Sequence, residues 1–461
     1  MEFRAILKNL PEVRAPTEKK LGFNIKLKWT VIVLVAFFIM SNIALYGLEN
    51  NALERFEYLA VIMGTSFGSI ISLGIGPIVM ASIILQLLVG SKILNIDTST
   101  EEGKKFFQGL QKLSVFFFII FEAVIYVVMK GLEATPGFTS VVILQLILGG
   151  LAILFMDEVS QKWGFGSGVS LFIAAGIGWR LITAAFGFLN TQGNFQITGR
   201  IWVLFTSLVA SPPDTQGFML ALAAILATVI LFLIVVWTQS LKIEIPLSYD
   251  RLRGYSMKWP LQFFYASVIP VILTAALIAN LQLFGGLLQN KLGHPTVLGN
   301  FKEGRAVCDV DGCGVLYWVS STNVVERIIT KSWSWTILGQ TAGHVLFFMF
   351  FAALFSVFWV KTSGMDASNQ AQNILKSGLQ IPGFRRDERI LESILSRYVM
   401  PLTIMGGLAI GLLAALADIL GALVGGTALL LGIMITFQFY QSIAKDHAMD
   451  MNPALKKMMG A

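Results

Sequence analysis

The stretch from Phe218 to Trp237 reads FMLALAAILATVILFLIVVW, twenty residues of which none is charged. At about 1.5 Å of rise per residue, a helix of this length crosses the roughly 30 Å hydrocarbon core of a bilayer. A helix that is apolar on every face has no side to offer to water. Nine comparable runs flank it. Before it stand Trp29 to Leu48, Leu73 to Leu94, Leu110 to Leu132, Val141 to Met156 and Val169 to Leu189; after it stand Phe263 to Leu288, Trp335 to Val360, Val399 to Leu423 and Ala428 to Ile443. Of 461 residues, 55% are hydrophobic and 13% charged, against about 25% charged in an ordinary soluble chain. That balance excludes disorder, a collagen-like repeat and a small disulfide scaffold. The chain reads as an all-α polytopic membrane protein of ten transmembrane helices.

Orientation follows from the basic residues. The two tails and the loops after even-numbered spans hold 25 Lys and Arg, the loops after odd-numbered spans hold 8, and Arg180 lies within span 5. This bias puts both termini in the cytosol, and most of the net charge of +7 lies on that side. The first run is too long for a cleavable signal peptide and no A-x-A site follows it. Ahead of it, Phe3, Ile6, Leu7 and Leu10 share one helical face among basic residues, predicting a short surface helix ended by Pro11.

Five spans per half is an odd number, so related halves would face the membrane oppositely, as in inverted repeats. Sequence self-similarity between them is not evident. The expected organisation is a cytosolic N-terminal segment (1–28), a first half of five spans (29–190), an outer hinge loop (191–217) containing Ser211-Pro-Pro-Asp214, a second half (218–444) and a cytosolic tail (445–461). The other large outer segment, Gln289 to Ser334, is too polar to span. It carries Cys308 and Cys313 as C-x4-C, for which a disulfide and two unlinked thiols fit equally well. Two cysteines are too few for a zinc site or an iron–sulfur cluster.

Between the first two runs, Glu49 to Gly76 has the wrong hydropathy for a loop or a span. Glu54, Arg55 and Glu57 open an otherwise apolar segment that includes Phe56, Leu59, Ile62 and Met63, and Gly64-Thr-Ser-Phe-Gly68 breaks it about ten residues later. Such a helix is too short to cross the core. It is either a re-entrant element in a cavity or an amphipathic cap on the outer surface. Within spans, Glu122, Arg180 and Asn280 are expensive, a charge at mid-membrane costing roughly 2.5–3.5 kcal/mol on insertion scales. Polar groups there should face a helix interface or a wet path, yet they are too few for an ion-coupled transport route. His294, His344 and His447 are scattered, and His344 reads as a packing or interfacial residue. Gly407-x-x-x-Gly411, Gly149-Gly150 and Gly176-x-Gly178 fit close helix packing. Gly164-x-Gly166-x-Gly168 follows a span rather than a strand, so it is no dinucleotide fingerprint. P-loop, nucleophile-elbow and H-E-x-x-H motifs are missing. Two inner loops are basic: Lys242, Arg251, Arg253 and Lys258 in one, Arg385, Arg386, Arg389 and Arg397 in the other. They suit anionic lipid, or the phosphates of RNA or acidic groups of a partner.

Several runs, taken in order, resemble the SecY family, the central subunit of the protein-conducting channel. They are Lys26-Leu-Lys-Trp-Thr30, Leu73-Gly-Ile-Gly-Pro-Ile-Val79, Gln86-Leu-Leu-Val-Gly90, Gly166-Ser-Gly168, Ile243-Glu-Ile-Pro-Leu247, Ile269-Pro-Val-Ile272 and Gly425-Gly-Thr427. The resemblance covers nearly the whole chain and is closer to the archaeal and eukaryotic branch. It implies an hourglass pore between spans 1 to 5 and 6 to 10, with a waist ringed by Ile75, Val79, Val169, Ile173, Ile272 and Leu431. It makes the segment from Glu54 to Gly64 a plug helix, and it sets a lateral gate between spans 2 and 3 and spans 7 and 8. Glu122 and Asn280 match polar gate positions, while Met80 stands where the family carries a small hydroxyl residue. Arg251 and Arg385, with Arg253 and Arg386 beside them, match ribosome-binding loops.

What the resemblance implies is a passive translocation channel with no catalytic residue and no cofactor. Its implied partners are SecE-like and Sec-beta-like small membrane subunits, a ribosome, signal peptides and nascent chains, with anionic lipid around it. The expected home is the cell membrane of an archaeon, the endoplasmic reticulum being the alternative. Two other classes remain on the residues alone. A small-solute transporter of the inverted-repeat class needs a cluster of polar groups at the midplane, and an intramembrane enzyme needs a catalytic dyad; the spans offer neither.

Overall fold

The computed structural model describes residues 10–17, 21–51, 63–94, 96, 100–188, 198–209, 214–249, 256–266, 268–302, 305–309, 312–376, 379–380 and 387–451. Each apolar run lies on a helix. Spans 1 to 5 are Phe23–Ser41, Gly76–Gly90, Glu101–Val128, Thr139–Trp163 and Gly168–Phe186. Spans 6 to 10 are Thr215–Gln239, Ile269–Leu292, Trp335–Thr362, Glu388–Leu420 and Gly426–Met451. Among the described residues, nine helices are long and apolar enough to cross a membrane. Span 2 is the exception.

The span 2 helix has 15 residues and rises only about 22 Å. It starts at Gly76 rather than Leu73 because Pro77, with φ preset and no N–H to lose, opens a helix well. The residues before it run as buried turns, with Ser72 N–H on Ser69 O at 3.0 Å and Gly74 N–H on Ile71 O at 2.9 Å. Their backbone groups are therefore paired internally, as a low-dielectric site demands. Pro270 likewise opens span 7 at Ile269, six residues after Phe263, where the apolar run begins. Spans 3 and 9 begin earlier than their apolar runs because polar caps extend them. Thr100 accepts from Gly103 N–H, and Asp387 from Arg389 N–H. Span 1 occupies Phe23–Ser41, earlier than Trp29 to Leu48, because Leu48–Asn51 is a strand paired with Leu132–Ala134.

Span 7 is the centre of the bundle. Of its most apolar window 78% is buried, against 17% for span 1. It packs on spans 2, 8, 9 and 10. Spans 8 and 9 meet closely through the small-residue motif: a Cβ on Gly407 would stand 2.8 Å from Ala353 Cα, and one on Gly411 2.6 Å from Phe348 O. Gly178 does not serve this purpose, since a Cβ there would meet nothing within 4 Å.

The connections hold more structure than hydropathy predicts. The basic segment after span 6 is a hairpin of strands Lys242–Tyr249 and Ser256–Gln262. Strand Leu379–Gln380, from the loop after span 8, adds to its free edge through the pairs Ser248↔Gln380 and Tyr249↔Leu379. The segment expected as a plain hinge loop contains the helix Arg200–Val209, packed on span 6. Ten residues are too few to register as a span, which is why hydropathy passes over it. In the segment after span 7, Cys308 and Cys313 face each other across a short hairpin and form a disulfide. The surface helix expected around Phe3, Ile6 and Leu7 falls outside the described residues. The chain just after it is strapped to the end of span 4: Val13 N–H donates to Glu158 at 2.9 Å, Trp163 Nε1 to Arg14 O at 3.0 Å, and Lys162 pairs with Glu12. The hydrogen bond and charge of Lys162 hold the Glu12 carboxyl below its ordinary value.

Candidate functional site

Six aliphatic side chains on four neighbouring spans lie in or against the main apolar core of the bundle. Ile75, Val79, Ile173, Ile272 and Leu431 are buried in one contiguous apolar cluster, and Val169 packs against it half-buried. Their helices touch in sequence: span 2 packs on span 7, span 7 on span 10, and span 10 on span 5. None of the six side chains carries a hydrogen-bonding group, so the locus offers nothing specific to a polar solute or to a peptide.

The described end of the segment from Glu54 to Gly64 adjoins this core. Glu54, Phe56, Leu59 and Ile62 lie outside the described residues, but Met63 and Gly64 are within them. Met63 is buried and its carbonyl accepts the Ile75 N–H at 2.9 Å. Gly64 has φ +52, and a Cβ placed on it would stand 3.6 Å from Ile75 Cγ2, 3.5 Å from Phe172 Cβ and 3.8 Å from Ile173 N. Left-handed backbone of this kind favours glycine. The segment therefore ends against two of the six aliphatic positions.

Beside it lies a buried acid. Glu122 of span 3 is fully buried, and neither carboxyl oxygen has a hydrogen-bond partner; the hydroxyl of Tyr126, one turn on, has none either. The carboxyl faces the first turn of span 2, where a Cβ on Gly76 would stand 2.9 Å from Glu122 Oε2 and 3.0 Å from Met63 Cε. An unpaired buried polar group costs about 1–3 kcal/mol, so this is a loaded position. Asn280 of span 7 donates instead to its own Ala276 O at 2.9 Å. Glu122 and Asn280 therefore share no hydrogen bond, and Met80 is half-buried. Span 2 also packs on span 8, where a Cβ on Gly90 would stand 2.6 Å from Phe358 Cγ. The two sides of the expected gate are in contact.

Sequence reasoning missed two further acids. Asp157, in span 4, accepts the N–H of Val169 at 3.0 Å and the side-chain amide of Gln161 at 2.7 Å. Asp418, in span 9, accepts from Thr427 N–H at 2.6 Å and from its hydroxyl at 2.5 Å. His344 joins the second cluster, with Nε2 3.1 Å from Asp418 Oδ2 and Nδ1 2.7 Å from Val319 O. It is buried, as a packing histidine would be, and also polar-bonded. These carboxylates stand near the ends of apolar runs, a signal that a search for charges at mid-span does not register.

The shared three-stranded sheet brings the two basic loops together. Arg251, Arg253, Arg385 and Arg386 themselves lie outside the described residues. The cross-loop pair Tyr249↔Leu379 sits just before both arginine clusters, and Arg389 and Arg397 are exposed at the start of span 9. Tyr265 ties the base of span 7 to the same loop, donating its hydroxyl to Met365 O at 2.6 Å. Burial, and secondarily Asp366, push the Tyr265 hydroxyl up to about 12, so it remains a donor at any physiological pH. Among the described residues no cluster of His, Cys, Asp or Glu could hold a metal ion.

Comparison with known proteins finds relatives over the full length of the chain. The SecY family model matches residues 69–440. The chain is 43% identical to the protein translocase subunit SecY of Methanothermobacter thermautotrophicus, covering 100% of this chain and 98% of that protein. It is 37% identical to the same subunit of Methanocaldococcus jannaschii, with 98% of each covered. A solved protein-conducting channel superposes with a TM-score of 0.82 at 36% identity, covering 99% of both chains. Canine Sec61, in a ribosome–channel complex from the endoplasmic reticulum, superposes with a TM-score of 0.79 at 35% identity over 99% of both chains.

Proposed function

Because the chain belongs to the SecY family, we propose that the aliphatic cluster of Ile75, Val79, Val169, Ile173, Ile272 and Leu431 is the waist of its pore. The protein is the central subunit of a protein translocation channel in a membrane that it crosses many times, and it is not an enzyme. Family membership sets aside the solute-transporter and intramembrane-enzyme alternatives. The chemistry of the waist suits the task. Branched aliphatic groups form no hydrogen bonds with a passing backbone and so favour no sequence. A narrow apolar constriction also sheds water, which raises the barrier to hydrated ions.

The single observation that carries this reading is the seating of Gly64 against Ile75 and Ile173. The segment Glu54 to Gly64 acts as the plug over that waist; one related SecY is described as having a plug domain that stabilises the closed state and maintains a membrane seal. The gate opens between spans 2 and 3 and spans 7 and 8, with Glu122, Asn280 and Met80 along it. Apolar signal segments leave through it because lipid is their better solvent, by about 0.3–0.6 kcal/mol per Leu, Ile, Val or Phe. The sheet-joined loops present Arg251, Arg253, Arg385 and Arg386 to a ribosome, which pushes the chain. SecE-like and Sec-beta-like subunits complete the complex, with anionic lipid around it.

Both termini face the cytosol, in an archaeal cell membrane rather than the endoplasmic reticulum. The two halves, 29–190 and 218–444, move as the jaws, joined by the segment 191–217. Deleting 54–64 tests the plug directly: resting ion conductance across a planar bilayer should rise while the protein still assembles. Conductance at the wild-type level would refute it.

A further inference from the structure

A pattern of hydrogen bonds recurs in the two halves. In the first, Thr30 of span 1 donates its hydroxyl to Lys26 O at 2.9 Å and accepts the N–H of Phe165 at 3.3 Å. In the second, Thr228 of span 6 donates to Ala224 O at 2.8 Å and accepts the N–H of Leu423 at 3.0 Å. Phe165 lies three residues before Gly168, where span 5 starts; Leu423 lies three before Gly426, where span 10 starts. One residue after each glycine, the N–H of Val169 or Thr427 donates to Oδ1 of an aspartate on the preceding span, Asp157 or Asp418. Three residues after each glycine, the first turn closes alike, Leu171 N–H on Ser167 O and Leu429 N–H on Gly425 O. Five residues after each glycine stand Ile173 and Leu431, both fully buried in the central cluster.

Spans 1 and 6, 4 and 9, and 5 and 10 are the pairs that an inverted repeat of five would relate. The hydrogen bonds thus supply an equivalence that the side chains conceal. They also explain the glycines. A Cβ on Gly168 would stand 2.6 Å from Asp157 Cα, and one on Gly426 would collide with the backbone of Ala417 and Asp418.

The first turn of a helix leaves its N–H groups without intrahelical partners, and inside a membrane protein each needs an acceptor. Ser167, at the start of span 5, makes no side-chain cap. The acceptor arrives from the neighbouring span, so the bond fixes one helix against another along its axis. Each carboxylate is itself held by a second group, Gln161 for Asp157 and His344 for Asp418. We infer that Asp157 and Asp418 are equivalent positioning residues that set the depth of Ile173 and Leu431 in the constriction. This rests on the reading of those two side chains as part of the waist.

The test uses the full-length channel, expressed with its partner subunits and reconstituted into planar bilayers. Resting ion conductance is measured for Asp157→Ala, Asp418→Ala, Asp157→Asn, Asp418→Asn and the direct waist variants Ile173→Ser and Leu431→Ser. Asparagine keeps the Oδ1 acceptor and alanine does not. The expected result is a severalfold rise in conductance for both alanine variants and for both serine variants, and return to within about twofold of wild type for the asparagine variants. If an alanine variant fails to assemble, serine at that aspartate replaces it, its hydroxyl falling short of the N–H. Alanine variants that melt earlier but conduct as wild type, while the waist variants leak, would overturn the inference and leave the waist reading standing. Waist variants that do not leak would overturn the waist reading itself.

Discussion

Replacing Gly64 with alanine isolates the seating of the proposed plug end from its packing. A Cβ at this position has room, the nearest atoms lying 3.5–3.8 Å away in ordinary contact. The backbone does not suit it, since φ is +52. Left-handed conformation costs an L-residue about 1–2 kcal/mol, and a shift of that size changes a two-state ratio by roughly 5- to 30-fold. The ratio of seated to unseated segment should fall by that factor in Gly64→Ala, raising the unseated population correspondingly. Asparagine tolerates left-handed backbone better than alanine, so Gly64→Asn should recover part of the loss despite its larger side chain. Resting conductance in planar bilayers reports the seal, and hydrogen exchange at Met63 and Gly64 reports the seat. The order of leak should be alanine, then asparagine, then glycine. Equal leak in alanine and asparagine would refute the strain argument. Faster exchange in alanine without added leak would refute the claim that this seat seals the pore.

Three further outcomes follow from other contacts. Glu122→Met removes an acid whose two oxygens have no partner; the closed channel should gain about 1–3 kcal/mol, seen as a higher melting temperature and weaker export of precursors with poorly hydrophobic signals. Glu12 binds its proton less readily when strapped to Lys162, so the strap contributes stability above the ordinary carboxylate range and loses it as pH falls through the lowered value; hydrogen exchange over residues 10–17 should quicken at that acid end, and Lys162→Met should remove the pH dependence. Tyr265→Phe deletes the bond to Met365 O and should cost about 1 kcal/mol, read as faster proteolysis of the loop after span 8 without loss of the bundle.

The apolar spans were legible because each is a long run with one physical reading, as Phe218 to Trp237 shows. Their ends were less so. Hydropathy does not register the polar first turns of spans 3 and 9, and it extends spans 2 and 7 through residues that Pro77 and Pro270 keep outside the helix. The strand Lys242–Tyr249 left a readable trace, Ile243, Ile245 and Leu247 alternating with polar or small neighbours. A scan for spans and charges passes over that period-2 signal. The pairing of that strand with Leu379–Gln380 joins distant loops, and nothing local announces it. The aspartate caps were hidden for a related reason: Asp157 and Val169 are 12 residues apart, Asp418 and Thr427 are 9 apart, and each pair meets only once a loop has folded back. The waist positions themselves came from resemblance, since an isoleucine in an apolar helix has no mark of its own.

The central claim is that the aliphatic cluster lines the path of the translocating chain. Photocrosslinkers at Ile75 and Ile272, with Leu233 and Phe117 on the exposed faces of their spans as controls, measure it directly against a secretory chain stalled in transit. Adducts to the stalled chain from Ile75 and Ile272, and lipid adducts alone from Leu233 and Phe117, are predicted. Chain adducts absent from Ile75 and Ile272, or equally strong from all four positions, would contradict it.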